Sequence, residues 1–107
     1  MEYVGNILYD NNLLDKDRKF VIFGAGCYGQ KILKYMDLNG AKERVICFCD
    51  SNIEMDGQHI QEIPVFQVKD VIAQHSEVTY LLGGKYSKEM YHILEANLIR
   101  KVHILFV

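Results

Sequence analysis

Three glycines spaced Gly24-x-Gly26-x-x-Gly29, directly behind the apolar run Phe20-Val21-Ile22-Phe23, are the residues whose pattern speaks most directly to chemistry. A loop of this kind can carry an anion. Gly24 permits a tight turn out of a strand, and Gly26 lets a pyrophosphate approach bare backbone. Gly29 allows close packing of a following helix, whose first N–H groups then face the negative charge. Ala25, Cys27 and Tyr28 fill the places between the glycines and border the same ligand. The alternative is that the glycines only pack a tight crossover with nothing bound. Asp50 stands 26 positions past Gly24, at the end of a second apolar run and next to Ser51. A carboxylate there can accept hydrogen bonds from ribose hydroxyls and disfavours a 2′-phosphate, or it can close a local turn on Asn52. Farther on, Gly83-Gly84-Lys85 ends the apolar run of a fourth strand and aims backbone and an ammonium toward the same place. It is not a Walker loop, because Thr79 occupies the position of the earlier glycine.

The apparatus for a reaction is harder to find. Cys27 falls at a helix N-terminus, which can activate a thiol, but no histidine has a defined place beside it. The Tyr-x-x-x-Lys pair of short-chain dehydrogenases is absent: Ile32, Asn39 and Met90 stand four residues after Tyr28, Tyr35 and Tyr86. Tyr86 could cover the site or pack at the start of the last helix. Asp50 to Gly57 has the acidity of a calcium loop, with Met55 where the sixth-place glycine is required. Cys47 and Cys49 alternate inside an apolar run, as buried free thiols would, and Cys-x-Cys without a second pair does not suit zinc. The histidines His59, His75, His92 and His103 are scattered. The sequence therefore shows a place to hold a nucleotide, no metal site, and no acid–base set for chemistry upon it.

The elements that would position these residues can be read from periodicity. Phe20 to Phe23 is a short, wholly apolar run of the kind found in interior parallel strands. Tyr28, Ile32, Tyr35, Met36 and Asn39 then repeat at helical spacing until Gly40. Val45 to Cys49 is a second buried strand. Ile63-Pro64-Val65-Phe66 is a short third strand, expected at a sheet edge because Pro64 has no N–H to donate. Val68, Val71, Ile72 and His75 follow helical spacing, and Val78 to Leu82 restores a strand. The last helix carries Tyr86, Met90, Ile93, Leu94 and Asn97 on one side, with Ser87 placed to cap it, and the last strand runs from Val102 to Val107. Strands and helices in alternation call for right-handed parallel crossovers. The fold class is α/β, three layers around a parallel sheet of about five strands ordered 3-2-1-4-5, with a crevice where strands 1 and 4 diverge.

Residues 1–18 are a separate amphipathic segment ahead of the domain at 19–107, with Tyr3, Val4, Ile7, Leu8 and Asn11 at helical spacing. Twelve basic against fourteen acidic residues give a net charge of −2, which supplies no positive surface for nucleic acid or an anionic membrane. The early residues Glu2, Asn6, Asp10 and Asn11 interrupt any signal peptide, no apolar run reaches the length of a membrane span, and a cytoplasmic location is expected. Half the residues are apolar, enough to pack one core. Ile7, Leu8, Leu105 and Phe106 are expected to offer apolar surface to a partner, a homodimer first or a longer parent protein.

The stretches Val21-Ile22-Phe23-Gly24-Ala25-Gly26-Cys27-Tyr28-Gly29, Phe48-Cys49-Asp50-Ser51-Asn52 and Ile63-Pro64-Val65-Phe66 together resemble the Rossmann-like module of bacterial polysaccharide-biosynthesis proteins. Such modules stand beside sugar dehydratase or sugar acetyltransferase domains. The resemblance covers residues 19 to 107 and implies a nucleotide ligand, NAD or a nucleotide-sugar, on Gly24, Gly26, Gly29 and Asp50. Neither the dehydratase domain nor the hexapeptide-repeat domain of those proteins is present. A noncatalytic or accessory nucleotide-binding module is therefore expected. The alternatives are a small NAD-dependent oxidoreductase and a ligand-free interaction domain derived from the same fold.

Overall fold

Strand β1 (Phe20–Phe23) is buried along its whole length, as its unbroken apolar sequence requires of a strand covered on both faces. The structure, a computed structural model, describes residues 18–105. The amphipathic stretch at 2–14 and the last two residues lie outside that range. Beyond β1 come α1 (Cys27–Leu38), β2 (Val45–Asp50), β3 (His59–Ile60), β4 (Ile63–Gln67), α2 (Val68–Gln74), β5 (Thr79–Gly83), α3 (Ser87–Ala96) and β6 (Val102–Leu105). The sheet has six strands in the order β3-β4-β2-β1-β5-β6, all parallel except β3.

This differs from a five-stranded sheet ordered 3-2-1-4-5 by the added edge strand. Strand β4, with Pro64, is not at the edge: it pairs with β2 on one side and with β3 on the other, where Pro64 stands opposite His59. Hydrogen bonds beside the proline continue that contact, Val65 N donating to Gln58 O (2.8 Å) and Gly57 N to Val65 O (2.8 Å). The connection is the two-residue turn Gln61-Glu62, both residues at positive φ (49° and 72°). Such a turn matches strand twist but usually contains Asn or Gly, and its side chains here give no sign of it.

Each face of the sheet buries a separate apolar layer. Against α1, the residues Ile32, Leu33 and Met36 meet Phe20, Ile22, Phe48, Leu81 and Leu105. On the other face, α2 and α3 bring Val68, Val71 and Leu94 against Val21, Phe23, Cys47, Cys49, Tyr80, Leu82 and Ile104. The buried side of α1 is therefore turned toward Leu33, while Tyr28 is 42 % exposed. Leu105 is buried within the first layer, so it does not offer the partner-facing apolar surface expected of it. The other residues of that proposed surface fall outside the described range. Among the described residues no helix is long and apolar enough to cross a membrane.

The three thiols separate by environment. Cys27 is exposed, whereas Cys47 and Cys49 are buried and free. Burial pushes the Cys47 thiol up to about 11, and burial, Cys47 and Asp50 push that of Cys49 well above its ordinary value. Thiol labelling at pH 8 should thus modify Cys27 within minutes and leave the other two intact until denaturant is added, because only the thiolate attacks. Rapid labelling of all three thiols in the native protein would contradict this burial.

Candidate functional site

The turn out of β1 begins at Gly24, whose φ of +97° is strained for any residue with a side chain. Its N–H donates to Cys49 O at the end of β2 (2.7 Å), which fixes the turn to the neighbouring strand. Ala25 is 1 % exposed, and its N–H donates to Asp50 Oδ2 (2.8 Å), while Gln30 Nε2 donates to Ala25 O (3.2 Å). Asp50 Oδ1 accepts from Asn52 N (2.8 Å), the local turn that its position allows. Gly29 lies where α1 crosses the loop, and a Cβ there would overlap the Gly24 carbonyl.

Gly26 is under neither constraint. Its backbone is extended (φ −84°, ψ −153°) and outside the left-handed region that calls for glycine, and a Cβ built there meets nothing beyond its chain neighbours within 4 Å. It is the N-cap of α1, yet no side chain caps the helix and no acid stands in its first turn. A helix start leaves backbone N–H groups without intrahelical partners, and among the described residues neither a capping side chain nor an acid of the first turn meets them.

In front of this loop lies a cleft of about 410 Å³, bounded by the glycine loop, the end of β2, the β5–α3 turn and one face of α3. Its size is in the range of small-molecule sites. The cleft gathers Gly24, Gly26, Cys27, Tyr28, Gly29, Asp50, Ser51, Gly83 and Lys85. Ala25 does not border it: its side chain is in the core and its N–H is taken by Asp50. The Tyr28 ring packs on Gly84, which has a φ of +89° and no room for a Cβ, so the loop and the β5–α3 turn touch across one end of the cleft. Lys31 Nζ sits 5.1 Å from the centre of the Tyr28 ring and Lys85 Nζ 5.2 Å from that of Tyr86, within cation–π range.

Periodicity alone puts the whole α3 stripe on one side, without dividing it between core and cleft. Tyr86, Glu89, Met90 and Ile93 line the cleft, with Tyr86 58 % and Ile93 37 % exposed, and Leu94 is buried. Met90 also reaches the glycine loop, its Cε 3.1 Å from where a Gly24 Cβ would stand. A stripe on one helix face here serves core and cleft at once, and apolar spacing does not tell the two apart. The usable signal is topological, since the helix after the strand beside β1 starts at the crevice. Ser87 does not cap the helix; its buried Oγ donates to Gly84 O (2.7 Å) and closes the preceding turn. Among the described residues no three His, Cys, Asp or Glu side chains come together to hold a metal ion.

No protein-family model and no curated protein matches the chain. Solved structures do. RSP, a Rex-family repressor, superposes over 88 % of this chain and 48 % of its own with a TM-score of 0.64 and 24 % identity. The fold is Rossmann-like. The same repressor in complex with β-NAD+ and operator DNA matches over 86 % of this chain and 45 % of its own (TM-score 0.63, 24 % identity). UDP-D-quinovosamine 4-dehydrogenase from Vibrio fischeri matches over 84 % of this chain and 80 % of its own (TM-score 0.62, 25 % identity). The chain thus spans about half the length of the repressor.

Proposed function

We propose that the chain is a noncatalytic or accessory nucleotide-binding module whose ligand is NAD or a nucleotide-sugar, serving nucleotide-sugar or polysaccharide biosynthesis. One observation carries the reading: Gly26 is bare although neither its backbone angle nor any neighbour requires it, and it stands at an uncapped helix start facing the cleft. A pyrophosphate accounts for both, since it needs open backbone and brings the anion the helix start lacks. A ligand-free descendant of the fold would be expected to fill that space with side chains. Two similar structures support the ligand class, one a repressor with β-NAD+ and the other a dehydrogenase of a UDP-sugar. The operator DNA of the repressor complex is not carried over, because a net charge of −2 does not supply the extended positive surface that a nucleic-acid backbone calls for.

In this reading Gly24, Gly26 and Gly29 form the phosphate loop. Cys27 and Tyr28 start the helix that faces the anion, and Asp50 with Ser51 meets the ribose. Gly83 and Lys85 close the far side. An accessory role is favoured over a complete oxidoreductase because hydride transfer requires a second substrate oriented beside the cofactor. A module of this kind works with a partner, whether a second copy or a longer parent protein.

Calorimetric titration with NAD, NADP, a uridine-diphosphate sugar and coenzyme A tests the proposal. NAD should bind more tightly than NADP, because Asp50 opposes a 2′-phosphate, and the preference should narrow in Asp50→Ala. Ribose hydrogen bonds lost in that variant cost about 1–3 kcal/mol, roughly a five- to hundredfold weaker NAD complex. A folded protein that takes up none of the four ligands at millimolar concentration defeats the reading.

A further inference from the structure

The acid at the end of β2 does more than await a ribose. Its two oxygens each accept from a backbone N–H of a different loop, Oδ2 from Ala25 and Oδ1 from Asn52, both at 2.8 Å. Ala25 is almost wholly buried, so its N–H has lost water and would be left unsatisfied without this carboxylate. The bond ties the loop down together with those from Gly24 N to Cys49 O and from Gln30 Nε2 to Ala25 O. It is the tie made by a side chain of β2, and it acts one residue before Gly26, where the open start of α1 faces the cleft.

We infer that Asp50 is a positioning residue for the anion cradle: its carboxylate locks the glycine loop so that the first N–H groups of α1 point into the cleft, with or without a ribose. A carboxylate has about four acceptor positions, and two are occupied here, so the locking role and a ribose contact are compatible. The consequence is that a ligand with no ribose should depend on a residue it never touches. The sign makes this sharp. Asp50 is negative, so removing it should by electrostatics alone strengthen the binding of an anion beside it; a weaker anion complex must come from a loosened cradle.

The ligand part of this inference rests on the nucleotide-binding reading, and the experiment separates the two. Wild type, Asp50→Ala and Asp50→Asn are titrated with ADP and with inorganic pyrophosphate, and amide exchange at Ala25 is followed by NMR without ligand. The expected result for Asp50→Ala is a pyrophosphate affinity at least about fivefold lower, an ADP affinity lower still, and Ala25 exchange faster by roughly tenfold or more. Asp50→Asn should fall between, because its amide keeps one acceptor oxygen for two N–H groups, and it carries the comparison if Asp50→Ala does not fold. Loss of ADP affinity with unchanged or tighter pyrophosphate binding overturns the inference, whether or not exchange accelerates, since Asp50 is then a ribose contact or a merely structural tie. If wild type binds neither ligand at millimolar concentration, the nucleotide reading fails separately. Ala25 exchange then decides the locking itself: acceleration upholds it and no change overturns it.

Discussion

A Gly26→Val protein should fold nearly as the wild type does and lose nucleotide binding by a hundredfold or more. The two halves of this result come from one geometry. At φ −84° a valine avoids the left-handed region, and its Cβ starts in a space where nothing beyond its chain neighbours lies within 4 Å. The folding cost is that of a poor N-cap, about 1 kcal/mol, or a melting temperature lower by about 5 °C. The space is open because it belongs to the cleft, and there a branched side chain stands where a phosphate must come within hydrogen-bond reach of the helix start. A hundredfold loss is about 2.7 kcal/mol, no more than removing one or two charge-assisted hydrogen bonds. Calorimetry with whichever of NAD or a uridine-diphosphate sugar binds wild type, alongside a thermal melt, reads both halves. Full affinity in a folded variant would mean that any ligand lies away from the loop, and the proposed site would be wrong.

The parallel strands are legible in the sequence because burial on both faces demands unbroken apolar runs, and Phe20 to Phe23 cannot be satisfied anywhere else. The glycine loop is legible for a related reason: a positive φ at Gly24 and a helix crossing at Gly29 leave a mark in residue type. Strand β3 leaves none. It is two residues long, its turn is Gln61-Glu62, and it exists because pairing with β4 outweighs two strained angles. The α3 wall is hidden differently. Met90 and Ile93 have the side chains of core residues and one helix face to share, and which part of that face meets the cleft is decided by how α3 lies across β5. Asp50 combines the two situations: its place at a strand end is written in the sequence, but its bond to the buried Ala25 N–H depends on a loop from another strand.

The largest effect on stability should come from Gly29→Ala, a substitution that adds one methyl group and, by helix propensity alone, should help by about 1 kcal/mol. The structure reverses that sign. A Cβ at residue 29 overlaps the Gly24 carbonyl oxygen and comes within 2.9 Å of its carbon, and both are backbone atoms that cannot rotate away. Gly24 is itself held by its φ of +97° and its N–H bond to Cys49 O, so relief requires α1 to move off the sheet and with it Ile32, Leu33 and Met36. Overpacking of this kind costs about 3 kcal/mol or more, a large share of the roughly 5–15 kcal/mol that holds a domain together. The melting temperature should fall by about 12–24 °C. Gly40→Ala is the contrasting control, since Gly40 has the positive φ (+70°) that Gly29 lacks, and open space where Gly29 has none. Its cost should be the conformational strain alone, on the order of 1–2 kcal/mol. Urea and thermal unfolding of the two variants side by side decide the matter. If Gly29→Ala is as stable as wild type, or no worse than Gly40→Ala, then α1 does not press on the glycine loop, and the rigidity assigned to the phosphate cradle goes with it.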